Sequence, residues 1–166
     1  KVGLVPQAAM LFSGTVRFNL KMGNENATDE ELNWALQTAQ AAEIVAEKQG
    51  GLDFMVEQNG RNLSGGQKQR LTIARALVGR PKILILDDSA SALDFATDAK
   101  LRKSLDALPF CPTVFIVSQR VSSIRHADKI VVLDDGMVVA IGTHEELVQT
   151  CDIYKEILES QGGAQA

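Results

Sequence analysis

Two kinds of apolar pattern alternate along this chain. Short runs that are apolar almost throughout, Val2 to Val5, Ile83 to Leu86 and Thr113 to Val117, predict buried strands. Ile83 to Leu86 has no polar alternation at all, which predicts a parallel strand covered on both faces. Between the runs, Leu32, Leu36 and Ala39 recur at helical spacing, and Leu101, Leu105 and Leu108 repeat the pattern after Phe95. Ile130 to Leu133 and Met137 to Ile141 flank Asp134-Asp135-Gly136, a tight hairpin signal. Strands and helices in alternation predict an α/β fold with a mainly parallel sheet.

Local signals mark where the helices begin. Thr28 to Glu31 and Thr143 to Glu146 are capping boxes, each with acidic residues at the positive end of the helix that follows. Ser64-Gly65-Gly66-Gln67 opens the strongest helix, which runs past Leu77 and predicts a stop at Gly79, with Pro81 just beyond. Capping accounts for Ser64 and Gln67. It does not account for two glycines where one good helix former is more stable. A serine hydroxyl, unhindered backbone N–H groups and a helix N-terminus together make an anion site.

Composition narrows the picture. The chain has 166 residues, enough to bury the core of one ordinary domain. A net charge of −4 gives a nucleic-acid partner no electrostatic support. Cys111 and Cys151 stand far apart in no metal-ligand spacing, so free thiols in a reducing setting are expected. No apolar run approaches the roughly 20 residues that span a bilayer. Lys1-Val2-Gly3 reads as an internal start, so a longer parent chain is expected, and Gly162 to Ala166 reads as a frayed tail.

Leu63-Ser64-Gly65-Gly66-Gln67 resembles the signature motif of ATP-binding-cassette (ABC) ATPases. Lys82 to Asp88 resembles that family's Walker B strand, and Ser91-Ala92-Leu93-Asp94 its D-loop. Pro6-Gln7 stands at the Q-loop position, and Leu11 to Leu20 is similar to the segment that follows the Q-loop in exporters. The resemblance implies an incomplete P-loop (RecA-like) ATPase core with an added α-helical subdomain. It also implies ATP and Mg²⁺ as ligands, with Asp87 and Gln7 on the metal through water and Ser64, Gly65, Gly66 and Gln67 serving a nucleotide held by a second subunit. Asp94 would face that subunit. The expected division is 1–12 for the Q-loop strand and loop, 13–80 for the helical subdomain, 81–146 for the Walker B to H-loop core with its hairpin, and 147–166 for the last helix and tail. Gln58 falls in the family's X-loop, thought to touch the membrane domain.

Three departures bear on mechanism. The catalytic glutamate after the Walker B aspartate is here Asp88, one methylene shorter, and displacements of about 1 Å can cost on the order of 100-fold. The H-loop histidine is here Gln119, which can donate a hydrogen bond but cannot carry charge. No G-x-x-x-x-G-K-[ST] loop is present to cradle phosphates. The resemblance therefore implies the degenerate half of a heterodimeric exporter at the cytoplasmic face of the cell membrane, paired with a non-identical nucleotide-binding domain and fused to an upstream transmembrane domain. By itself the chain is expected to bind ATP weakly, to be inactive, and to expose strand edges that invite association. A slow homodimeric exporter, a soluble ABC ATPase of the translation or repair type and a non-catalytic ATP-binding module are the alternatives.

Overall fold

The computed structural model describes residues 1–162; the tail beyond Gly162 lies outside the described residues. They form two compact units, Lys1–Val117 and Ser118 onward, each with its own apolar core.

The first unit opens with β1 (Val2–Val5) and a loop to β2 (Gly14–Thr15), followed by α1 (Val16–Lys21), α2 (Asp29–Thr38) and α3 (Ala42–Ala46). After a single 3₁₀ turn, β3 (Met55–Val56) pairs antiparallel with β2, and a second 3₁₀ turn at Gln58–Gly60 leads to α4 (Gly65–Val78). The unit closes with β4 (Ile83–Asp87), α5 (Phe95–Asp106) and β5 (Thr113–Val117). β1, β4 and β5 make a parallel sheet in the order β1-β4-β5, with Val5 opposite Leu86 and Asp87 opposite Val117. Gln58 lies exposed beside Asn59, whose backbone is left-handed.

Only one face of this sheet is covered. Val5, Leu84 and Leu86 are buried in the core, while Val2, Leu4, Phe115 and Val117 on the opposite face are exposed. The uniform apolar run of β4 predicted cover on both sides. Among the described residues the helices supply it on one.

The sequence signals at the helix starts describe the structure well. Thr28 and Ser64 each accept a bond from the third helical N–H, and Glu31 and Gln67 reach back to the cap. α4 stops at Gly79 as expected, but the glycine is not the left-handed residue that a C′ glycine would be. Gly79 keeps a right-handed backbone and the left-handed residue is Arg80. Gly79 is small for another reason: a Cβ there would lie 3.1 Å from the carbonyl oxygen of Gly23. Gly23 in turn lies so close to α4 that its Cβ would overlap the Arg75 carbonyl. Trp34 packs on the core in an edge-to-face contact with Phe110, ring centroids 6.0 Å apart, and the Arg80 guanidinium lies over the Trp34 ring.

The second unit holds α6 (Val121–Ile124), the hairpin β6 (Ile130–Asp134) and β7 (Met137–Gly142), α7 (His144–Thr150) and α8 (Asp152–Ser160). Asp135 and Gly136 both take positive φ in the hairpin turn, as a two-residue turn of the primed type requires. Thr143 and Glu146 form the capping box of α7. Ile130, Val132, Leu147 and Tyr154 make the core of this unit. Cys111 in the first unit is exposed and Cys151 in the second is buried, and both are free thiols.

Candidate functional site

The C-terminal end of an open parallel sheet is where such folds bind ligands, and β4 ends there in Asp87, with Asp88 just beyond it. Asp88 leaves the strand with φ near +43°, a conformation that aspartate tolerates better than most side chains. Its N–H donates to the Val117 carbonyl at 2.8 Å, and its own carbonyl accepts from the Ser91 hydroxyl at 2.8 Å. Gln7, at the end of β1, donates its amide to the Asp88 carboxylate at 3.3 Å. The structure thus brings together Gln7, Asp87 and Asp88, three residues predicted as site members from opposite parts of the sequence.

The loop after Gln7 is fixed by Asn19, a buried side chain with every polar group in use. Its amide donates to the carbonyls of Phe12 and Thr15, and its oxygen accepts from the Phe12 N–H at 2.8 Å. Sequence reading missed this residue. A lone asparagine within an apolar helical stretch is the signal that could have found it.

The signature turn is built from within. Gln67 N–H donates to the Ser64 hydroxyl at 3.3 Å, and Ser64 N–H donates to the Gln67 side chain at 3.0 Å. The two glycines differ. A Cβ on Gly65 would meet nothing within 4 Å, whereas one on Gly66 would lie 3.0 Å from the Ala92 carbonyl oxygen. Gly65 therefore leaves the helix start open to an approaching group, and Gly66 lets the turn pack on the D-loop segment.

Asp94 caps α5, accepting from the Thr97 N–H at 2.9 Å and the Thr97 hydroxyl at 2.7 Å. The Thr97 backbone bond, then its hydroxyl, holds the Asp94 carboxyl below its ordinary range. Gln119 lies in the second unit, its side chain exposed and its carbonyl accepting from the Gln161 amide. His144 bonds Tyr154 through Nδ1 at 2.8 Å, and burial pushes the Tyr154 hydroxyl up in pKa. That pair belongs to the second unit, where His144 opens α7 and Tyr154 lies in α8.

Asp87 and Gln7, expected on Mg²⁺ through water, offer one carboxylate and one amide, a donor set that fits an ion which takes few carboxylates and keeps several waters. Among the described residues no cluster of three or more acidic, histidine or cysteine side chains forms a cage that would hold a metal on its own.

Comparison with known proteins bears on the family and the fold. The family model described as "ABC transporter" matches residues 1–91, more than half of the chain. An uncharacterized ABC transporter ATP-binding protein of Bacillus subtilis, YfiB, is 45% identical over 163 residues, covering 98% of this chain and 28% of its own length. The beta-(1→2)glucan export ATP-binding/permease protein NdvA of Rhodopseudomonas palustris is 43% identical over 160 residues, covering 96% and 27%. Among solved structures, a bacterial Atm1-family ABC exporter with ATP bound superposes with a TM-score of 0.93 at 35% identity, over 98% of this chain and 29% of that one. The chain thus spans just over a quarter of the length of these relatives. With an α/β core, a parallel sheet carrying carboxylates at its tip and an added helical part, the chain belongs to the ABC transporter family.

Proposed function

We propose that this chain is part of the ATP-binding and ATP-hydrolysing subunit of an ABC exporter, and that it is the degenerate half of a heterodimer. The observation that carries the reading is the contrast between two ends of the same unit. The signature turn is capped, open at Gly65 and complete, while the carboxylate expected to polarise water is the short Asp88. Relatives bearing export and permease functions, and an ATP-bound exporter of the same fold, support the exporter assignment.

In this reading ATP binding closes a head-to-tail pair of nucleotide-binding domains. Ser64 and the first-turn N–H groups of α4 receive the phosphates of the nucleotide on the partner, where charge develops during transfer. Mg²⁺, when bound, neutralises phosphate charge. At this chain's own site Asp87 holds the hydrated metal, Gln7 orients the Asp88 carboxylate, and Gln119 offers an amide N–H in place of an imidazole. Asp94 faces the partner. Residues 1–12, 13–80, 81–146 and 147–166 act as the four parts outlined from the sequence. The segments near Gln7 and Val56 to Asn59 pass closure to a membrane domain, placing the assembly on the cytoplasmic face of the membrane. The 166 residues alone, without a phosphate-cradling loop, bind ATP weakly and turn it over negligibly.

The test is ATP turnover of the complete transporter with its partner. Ser64→Arg is expected to lower turnover by at least about 100-fold, since it blocks the phosphate-receiving turn. Asp88→Ala is expected to lower it less than about twofold, because the competent site uses the partner's carboxylate. The Gln7–Asp88 hydrogen bond favours a second reading, a homodimer in which the aspartate is oriented and works. Equal damage from the two variants selects that reading instead.

A further inference from the structure

Arg70 is not among the residues assigned to the site, yet it sits at the centre of a closed ring of contacts. One turn into α4, its Nε donates to the Gly66 carbonyl at 3.3 Å, and its Nη1 donates to the Gln40 carbonyl at 2.9 Å. Gln40 follows α2 in a left-handed backbone, and its side-chain amide donates to the Ser104 hydroxyl of α5 at 3.0 Å. At the other end of α5, Asp94 caps the helix. The segment leading into that cap returns to α4, where the Ala92 carbonyl oxygen stands 3.0 Å from the place a Cβ on Gly66 would take. The ring thus runs from Gly66 through Arg70, Gln40 and Ser104 to α5, and back through Asp94 and Ala92 to Gly66.

We propose that Arg70 is a positioning residue that locks the signature turn and the Ser91–Asp94 loop into one rigid body. Its planar fork suits the task, because two of its N–H groups reach two carbonyls of different elements at once. A lysine keeps the charge but presents a single ammonium on a flexible stem, so it cannot hold both carbonyls in one geometry. The contact between Gly66 and Ala92 supplies the other half of the lock. It is backbone against backbone, so an added methyl must push the Ala92 carbonyl away by a few tenths of an ångström. In the two-site reading proposed above, on which the functional consequence rests, the signature turn serves one nucleotide while the Ser91–Asp94 loop leads out of the other carboxylate site. Arg70 then makes the state of either site felt at the other through this single chain.

The experiment is amide hydrogen exchange by mass spectrometry on the complete protein, with ATP turnover measured on the same samples. Arg70→Lys is expected to raise exchange about tenfold in both 65–69 and 90–94, with β4 unchanged, since bonds from a charged donor to carbonyls are lost locally. Gly66→Ala is expected to raise exchange in 90–94, and Gly65→Ala, which adds its methyl to open space, is not. The proposal fails if Arg70→Lys leaves 90–94 unchanged, if exchange rises equally through β4, or if the two glycine variants act alike on 90–94. In turnover, Arg70→Lys is expected to lower kcat about tenfold while leaving resting nucleotide affinity unchanged, a split that a general loss of fold does not give. Coupled exchange with unchanged kcat keeps the rigid body and overturns the two-site reading instead.

Discussion

The first turn of α4 and the tip of β4 are both polar ends of apolar elements, but they are held in opposite ways. At α4 the capping bonds that start the turn lie within four residues, Ser64 to Gln67 and back, and longer-range contacts from Arg70 and Ala92 only brace it. At β4 the shape comes from afar: the Asp88 N–H is held by Val117 on the neighbouring strand, and its carboxylate by Gln7, which lies 81 residues away in sequence. A locally built site is set as soon as its helix forms. A site assembled from three strands exists only when the sheet does. The signature turn is therefore the robust half, and the carboxylate tip responds to anything that moves β1 or β5.

Substitutions at three positions sharpen this contrast, beginning with the largest effect on stability. Gly23→Ala forces a methyl onto the Arg75 carbonyl, a backbone clash at the far end of α4, and is expected to cost about 2–4 kcal/mol in denaturant unfolding of the complete protein. If the cost is below about 0.5 kcal/mol, the loop at Gly23 yields freely and α4 is not seated there. Ser64→Ala removes one local cap and is expected to cost about 1 kcal/mol, while Ser64→Thr, which keeps a hydroxyl, is expected to restore most of it. No recovery in the threonine variant would mean that the turn is held by something other than its cap.

The smallest effect is a pH dependence. Asp94 has its carboxyl lowered by the Thr97 N–H and hydroxyl, so the folded state binds this proton less readily than the unfolded chain. Its stabilisation is complete above the ordinary aspartate range and is lost as pH falls through the lower folded value. Asp94→Asn is expected to flatten the acid limb of the stability curve slightly, with little change at neutral pH. An unaltered acid limb would show that the Thr97 bonds do not distinguish the folded from the unfolded carboxyl.

What the sequence made legible follows the same division. The caps at Thr28, Ser64 and Thr143 and the hairpin turn at Asp135-Gly136 are written within four residues, and each forms as the pattern predicts. α4 stops at Gly79 as the sequence predicts, but the reason was not legible, because the smallness of that glycine answers to Gly23, a residue 56 positions earlier, and not to its own φ. Asn19 and Arg70 carry no local motif. Their partners at Phe12, Gln40 and Gly66 become visible only once the elements have packed. The apolar run of β4 gave its burial in the core correctly, but an apolar side chain on an uncovered sheet face reads the same in sequence as a covered one.

Gly65 has a further consequence. The fold would accept a side chain there, with nothing within 4 Å of its Cβ, and an alanine is up to about 1 kcal/mol more favourable in a helix. The chain thus forgoes stability at a place where its own packing asks for no concession. Under the function proposed above, such a position is a trade between durability and activity, and it can be moved in either direction. Gly65→Ala should make a sturdier protein and a poorer nucleotide partner, so the most stable version of this chain and the most useful one are different molecules.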